Sequence, residues 1–347
     1  MRVLVTGHAG YIGSVLVPLL EARGHQVSGL DTQLYQGRDL GDPPAPIPAV
    51  QIDIRDVSAA DLGGVDAIVH LAGICNDPLG ELNPQLTEEV NGAATARLAD
   101  AAVAAGVERF VFSSTCSVYG WADPSRPVDE ESDCHPLTAY ARSKLSAEPA
   151  VLDLASARFT PVVLRSGSVF GPSPRLRTDL VVNGLTATAW ASHRLELETD
   201  GSPWRPLVHV HDVAQTMIAM VEAPAMKVSG RTFNVGTDLL NVQVRDIADT
   251  IARQLPGTSV TLAQGAGPDE RSYRATFRRL AEAFPRLTFR MDLRRAIDEL
   301  VTAYTTAPLR SEDLASGRFV RLAAIKDWIA AGHVDGDLRR RDDAVPA

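Results

Sequence analysis

A doubly wound, mostly parallel α/β sheet with a smaller C-terminal α/β lobe is the fold this sequence predicts. Three observations carry the prediction. Short apolar runs alternate with helical patterns through the first half of the chain, a glycine-rich loop joins the first run to the first helix, and the alternation stops after Gly171-Pro172. Strands that alternate with helices form parallel sheets through helical crossovers.

In order, residues 2–6 (RVLVT) read as a buried strand and residues 12–23 as the first helix. Strands follow at 26–30, 50–52 and 67–71, then a long Ala-rich helix at 86–105. A fifth strand at 109–113, a helix at 140–154 and a sixth strand at 161–165 complete the first unit, 1–172. Beyond Pro172-Ser173-Pro174 the pattern gives a strand at 207–210, a helix at 212–222 and a strand at 232–235. Residues 206–240 are therefore expected to return to the first unit. Residues 173–205 and 241–347 are expected to form a substrate-binding lobe, with a strand at 259–263 and a charged, frayed end around 339–343.

Hydrophobic residues make up 45% of 347, enough for a sizeable core. The net charge of -9 argues against a nucleic-acid binder, which carries a basic face. No apolar run is long enough to span a membrane. Cys75, Cys116 and Cys134 are sparse and without paired spacing, and no signal segment precedes the first strand. Both features point to a cytoplasmic protein.

The loop Gly7-His8-Ala9-Gly10-Tyr11-Ile12-Gly13 follows a strand and opens a helix, the context of a Rossmann-type dinucleotide site. Gly7 permits the tight turn, Gly10 lets the backbone approach a diphosphate, and Gly13 allows close packing. The helix N-terminus supplies free N–H groups and a positive dipole end. Asp31 ends the second strand, where a carboxylate accepts both ribose hydroxyls of NAD and repels a 2′-phosphate. Asp53-Ile54, after the third strand, is read either as flanking the adenine or as a strand-end turn.

Tyr140 and Lys144 stand four apart on a helix and share a face. A neighbouring ammonium favours phenolate, so the pair predicts a tyrosine pKa lowered into a useful range. The block Ser113-Ser114-Thr115-Cys116-Ser117-Val118-Tyr119-Gly120 ends the fifth strand, on the side where open α/β sheets bind ligands. Cys116 reads as a packed thiol, since no base is adjacent. His209 and His211 share one face if their segment is a strand, yet no further ligands cluster with them, so no metal site is expected.

These motifs resemble the extended short-chain dehydrogenase/reductase family, in its branch of nucleotide-sugar epimerases, dehydratases and ketoreductases. The likeness extends over about residues 1–300, through His70-Leu71-Ala72-Gly73, Asn91, Val169-Phe170-Gly171-Pro172, Arg205, His209–Val213 and Phe233-Asn234-Val235-Gly236. It implies Thr115 as hydroxyl partner, Tyr140 as base and Lys144 as the lysine that holds the nicotinamide ribose. It adds Leu71, Ala72, Gly73, Asn91 and Ser113 to the NAD site, and makes His70 positional. Ser168, Asn183, Arg205 and Arg271 fall at the substrate end, the arginines suited to a nucleotide diphosphate.

The family's dehydratases place an Asp-Glu pair where Cys116-Ser117 stand, and its decarboxylases often place a glutamate at Ser117. Both reactions are therefore disfavoured. What the resemblance leaves is epimerisation at sugar C4 through a keto intermediate, with a 4-ketoreductase or dehydrogenase as the alternative and a non-catalytic NAD-binding scaffold as a third reading. It also implies a homodimer packed through the helices at 86–105 and 140–154. His8 stands where the family has a small residue, and Ser166-Gly167 replace its usual aromatic pair.

Overall fold

The computed structural model describes residues 1–269, 271–289, 291–307 and 309–341. Residues 342–347, which include the end of the charged tail, lie outside the described residues. The strands are β1 (Arg2–Thr6), β2 (Gln26–Asp31), β3 (Ala49–Gln51), β4 (Ala67–His70), β5 (Arg109–Thr115), β6 (Thr160–Ser166), β7 (Ser168–Phe170), β8 (Arg194–Thr199), β9 (Trp204–His209), β10 (Arg231–Val235), β11 (Asn241–Gln243) and β12 (Ser259–Gly267). Seven of them form one parallel sheet in the order β10-β6-β5-β4-β1-β2-β3. The order reverses direction between β1 and β4, and that crevice is where such sheets bind ligands.

Both faces of this sheet are covered, which is why its strands read as continuous apolar runs. Val3, Val5, Val69 and Val111 point to one face, packed under the helices Gly13–Ala22 and Val210–Glu222. Leu4, Ile68, Phe110 and Phe112 point to the other, under Ala94–Ala104 and Ala139–Leu152. The alternation follows from the two-residue period of a strand.

The second lobe has its own core. Leu195, Leu197, Leu207, Ile247, Ile251, Ile297, Leu300 and Tyr304 pack together between the helices Val181–Ser192, Val244–Gln254 and Leu293–Thr306. Two small sheets border it, β11-β9-β7 and β12-β8.

Four expectations are corrected. The helix expected over 86–105 is Pro84–Glu88, a π turn Glu89–Ala93, and Ala94–Ala104. The segment expected at 206–240 does not return as a whole: β9 joins the small sheet, and the return is made by Val210–Glu222 and β10. His209 and His211 do not share a strand face, because His209 caps the helix that contains His211 and accepts from its amide at 3.3 Å. Finally, the tail does not all belong to the second lobe. Ile325 and Trp328 of the helix Arg321–Ala330, with Val334 and Leu338, pack on Ile74, Leu79 and Leu86 at the dinucleotide end of the sheet.

Candidate active site

At the β1 end of the crevice the glycine loop is built on steric exclusion. Gly7 has φ +73°, and a Cβ there would sit 2.8 Å from the Ala72 nitrogen. A Cβ on Gly13 would sit 2.4 Å from the Gly7 carbonyl oxygen, so the first helical turn closes on the loop only with hydrogen at that position. The larger His8 is accommodated by Gly29 of β2, where an added Cβ would meet the imidazole at 2.4 Å. Asp31 accepts from the Ala9 amide at 3.2 Å and the Gln33 amide at 2.7 Å, which ties the end of β2 to the loop.

Gly7, Gly10, Tyr11, Ile12, Gly13, Asp31, Asp53, Ile54, Leu71, Ala72, Gly73 and Ser113 all line one pocket. Free N–H groups at a helix start, a strand-end carboxylate and an apolar slot at Ile52 and Ile54 match diphosphate, ribose and adenine in turn. Asp53 caps a short 3₁₀ turn and is paired with Arg55 at 2.7 Å, so it acts as a strand-end cap at the pocket wall. Arg177 and Arg321 also line the pocket.

Asn91 takes a different place. It lies fully buried in the π turn, outside the pocket lining, and clamps the backbone that forms the wall. Its Oδ1 accepts from Ile74 N at 2.8 Å, and its Nδ2 donates to Ile74 O at 2.9 Å and Ser143 Oγ at 3.1 Å. His70 is likewise internal, with its ring nitrogens 2.7 Å from Thr6 Oγ1 and 2.8 Å from Thr95 Oγ1. Burial holds its pKa down at about 3, so the ring is neutral.

A second cleft adjoins the first and shares Tyr11, Ile12, Leu71, Gly73, Ile74, Cys75, Ser113 and Arg177 with it. Thr115, Tyr140 and Lys144 line this cleft. Thr115 ends β5, and its hydroxyl accepts from Ser117 N at 3.1 Å. Lys144 is buried, donates to the Ser113 carbonyl at 3.0 Å and stands 4.9 Å over the Phe112 ring. Burial pushes its pKa down to about 8.

The expected lowering of Tyr140 by Lys144 is not found. Burial, joined by Cys75 and Asp77, raises the phenol, while Arg177 and the Thr115 hydroxyl pull it down more weakly. Lys144 directs its charge at the Ser113 carbonyl instead.

Cys116 is fully buried, with its thiol donating to Arg165 O at 3.1 Å, while Ser117 faces the cleft. Ser168, Arg205 and Arg271 also line the cleft. Asp269 holds both arginines, Arg205 at 2.6 Å and Arg271 at 3.0 Å, and Arg271 reaches Asp77 at 3.1 Å. Asn183 does not line it. Fully buried, Asn183 accepts from Gly171 N at 2.9 Å and donates to Tyr11 OH and Arg177 O, fastening the two halves together behind the site.

Sequence reasoning missed Asp77, Asp269, Arg177 and Arg321. Arg177 pairs with Asp179 two residues on, a spacing visible in Arg177-Thr178-Asp179. Nothing local marks Arg321, whose environment comes from Tyr35 and Arg177.

Residues 3–236 match the NAD dependent epimerase/dehydratase family. UDP-glucose 4-epimerase of Mycolicibacterium smegmatis is 34% identical over 288 residues, 78% of this chain and 84% of that protein. dTDP-6-deoxy-L-talose 4-dehydrogenase (NAD(P)(+)) of Kitasatospora kifunensis is 29% identical over 323 residues, 89% of this chain and 97% of that one. MoeE5, solved in complex with UDP-glucuronic acid and NAD, superposes with a TM-score of 0.76 at 28% identity, over 88% of this chain and 100% of that one. On sequence match and site geometry together, the chain belongs to the NAD dependent epimerase/dehydratase family.

Proposed function

We propose that the protein is a nucleotide-sugar epimerase that acts at sugar C4 through a transient keto intermediate, with NAD regenerated in each cycle. The observation that carries this reading is the shared wall of the two clefts, with Thr115, Tyr140 and Lys144 gathered beside it. A dinucleotide on one side and a sugar on the other meet there.

NAD, when bound, supplies a two-electron acceptor that gives the electrons back. The chain's own residues handle the proton. Tyr140, as phenolate, takes the proton of the sugar hydroxyl, and the Thr115 hydroxyl bonds the same oxygen. Burial opposes phenolate formation, so the base depends on nearby positive charge, which Arg177 supplies, and on the Thr115 hydroxyl. Arg205 and Arg271 suit a diphosphate bidentately once Asp269 and Asp77 release them. Elimination of water has no acid at 116 or 117, since Cys116 is turned inward and Ser117 carries no charge.

C4 is chosen because the M. smegmatis relative is a UDP-glucose 4-epimerase. A second reading, net oxidation or reduction at C4, is favoured by the dehydrogenase relative, which matches along nearly its whole length.

The test is turnover of UDP- and dTDP-hexoses by the full-length protein with no added cofactor, beside a Tyr140→Phe variant. The C4 epimer is expected from the wild type, and the variant is expected to lose roughly 10²–10⁴-fold in turnover with its bound NAD unchanged. Activity that survives in the variant, or product formed only as added dinucleotide is consumed, overturns the proposal.

A further inference from the structure

The cofactor pocket is lined by a buried guanidinium, that of Arg321, whose Nη1 has no hydrogen-bond partner among the described residues. Arg177 and Arg321 both line it, and Arg177 is ion-paired with Asp179. Asp179 is taken by Arg177, through Nε at 3.0 Å and Nη2 at 3.2 Å. The neighbouring Arg175 is paired with Asp39 at 3.3 Å.

Among the described residues the Arg321 side chain makes no ion pair with a carboxylate. Its side chain is 1% exposed, stacked 4.1 Å over the Tyr35 ring, and Nη2 donates to Arg175 O at 3.1 Å. Nη1 is buried without a partner among the described residues. A guanidinium cannot shed its proton, so an unpaired buried one is a standing cost unless an anion completes it.

The location names the anion. Arg177 and Arg321 line the same pocket as Gly10, Tyr11 and Ile12 of the glycine loop, and Asn183 Nδ2 joins Tyr11 OH at 3.2 Å to Arg177 O at 3.1 Å. Tyr11 and Ile12 there open the helix whose free amides form an anion site.

We propose that Arg321, carried by the C-terminal helix Arg321–Ala330, binds the diphosphate of NAD through Nη1, and that the C-terminal segment thereby retains the cofactor. The rest of the segment is placed for this. Leu338 lines the pocket, Arg340 donates to Thr32 O and Gln33 O just past Asp31, and Arg339 pairs with Asp56. The NAD pocket is thus closed by residues about 300 positions from the glycine loop in sequence. The inference concerns the cofactor alone, so it stands or falls separately from the choice of sugar.

The test compares ADP-ribose with adenosine, which lacks the diphosphate, in calorimetric titrations of the full chain freed of dinucleotide. Arg321→Gln is expected to weaken ADP-ribose by roughly tenfold or more and adenosine by less than about twofold, and Arg321→Lys to recover much of the loss. Equal losses for both ligands, or no loss for either, overturn the proposal. If Arg321→Gln does not fold, a structure of the wild-type protein with NAD decides: Nη1 is expected within about 3.5 Å of a phosphate oxygen. A guanidinium turned away from both phosphates in that structure overturns it equally.

Discussion

Lys144 sits 4% exposed in the cleft that Thr115 and Tyr140 also line, and it donates to a carbonyl on the strand that carries Thr115. With a pKa of about 8 it remains mostly charged at neutral pH, close to the point where burial would discharge it. Asp31 has each carboxylate oxygen engaged by one amide, which leaves lone pairs for a ribose. Asp31→Asn is expected to weaken NAD binding by roughly 10–100-fold, the worth of charge-assisted bonds, measured by titration against the wild type. Unchanged affinity would remove Asp31 from the ribose site. His70 supplies a pH-dependent prediction. Its folded pKa is near 3 and its unfolded value near 6.5, so below 6.5 the unfolded chain binds the extra proton. Stability is complete above pH 6.5 and falls as pH drops toward 3, by up to about 1.4 kcal/mol per unit from this group. Urea midpoints between pH 7 and 5 should fall less steeply in His70→Asn than in the wild type, and parallel slopes would contradict the assignment. At this scale the sequence revealed residues whose meaning is local, such as Tyr140 with Lys144 or Asp31 after its strand. It did not reveal Asn91 and Asn183 as clamps, because their partners Ile74 and Gly171 are fixed only by the fold.

The helix Ala139–Leu152 presents Tyr140 and Lys144 from one end and is pinned at the other. Glu148 accepts from Ser114 Oγ at 2.6 Å and pairs with Arg165 Nη2 at 2.6 Å, and Arg165 also donates to Tyr119 OH at 3.0 Å. These bonds tie the helix to the ends of β5 and β6, which sets the distance from Tyr140 to Thr115. Both charges are buried, so removing one leaves the other unpaired. Glu148→Gln is expected to cost about 3–5 kcal/mol in chemical denaturation, and a loss below about 1 kcal/mol would show that the pair does not hold the helix. At its N-terminus the same helix is capped by Thr138, whose hydroxyl donates to Asp77 at 2.7 Å, and Asp77 also receives Arg271. The long elements were readable because their periodicity extends over many residues. The π turn was not, since an extra residue in a helical turn leaves composition unchanged. β7 and β11 have three residues each, too few for a pattern. β8 alternates Leu195 and Leu197 inward with Arg194 and Glu196 outward, a period-two signal that the sequence does carry.

Across the whole molecule, a parallel sheet that reverses its strand order at β1 and β4 creates one crevice, and the chain fills it from three directions. The glycine loop and Asp31 come from the first sixty residues, Thr115 and the tyrosine helix from the middle, and Arg205 and Arg271 from the second lobe. The sheet and its cofactor end follow from local motifs and were visible in the sequence. The position of the tail was not, because its contacts with Leu34, Tyr35 and Ile74 depend on the completed fold. The proposed epimerisation is a reaction in which oxidation and reduction occur at one carbon without the cofactor leaving. The most direct test follows UDP-glucose deuterated at C4 through turnover by the protein as purified, with no added dinucleotide. The account predicts the C4 epimer with deuterium retained at C4 and no net reduced cofactor. Deuterium lost to solvent, or one reduced dinucleotide accumulated for each sugar converted, would contradict it.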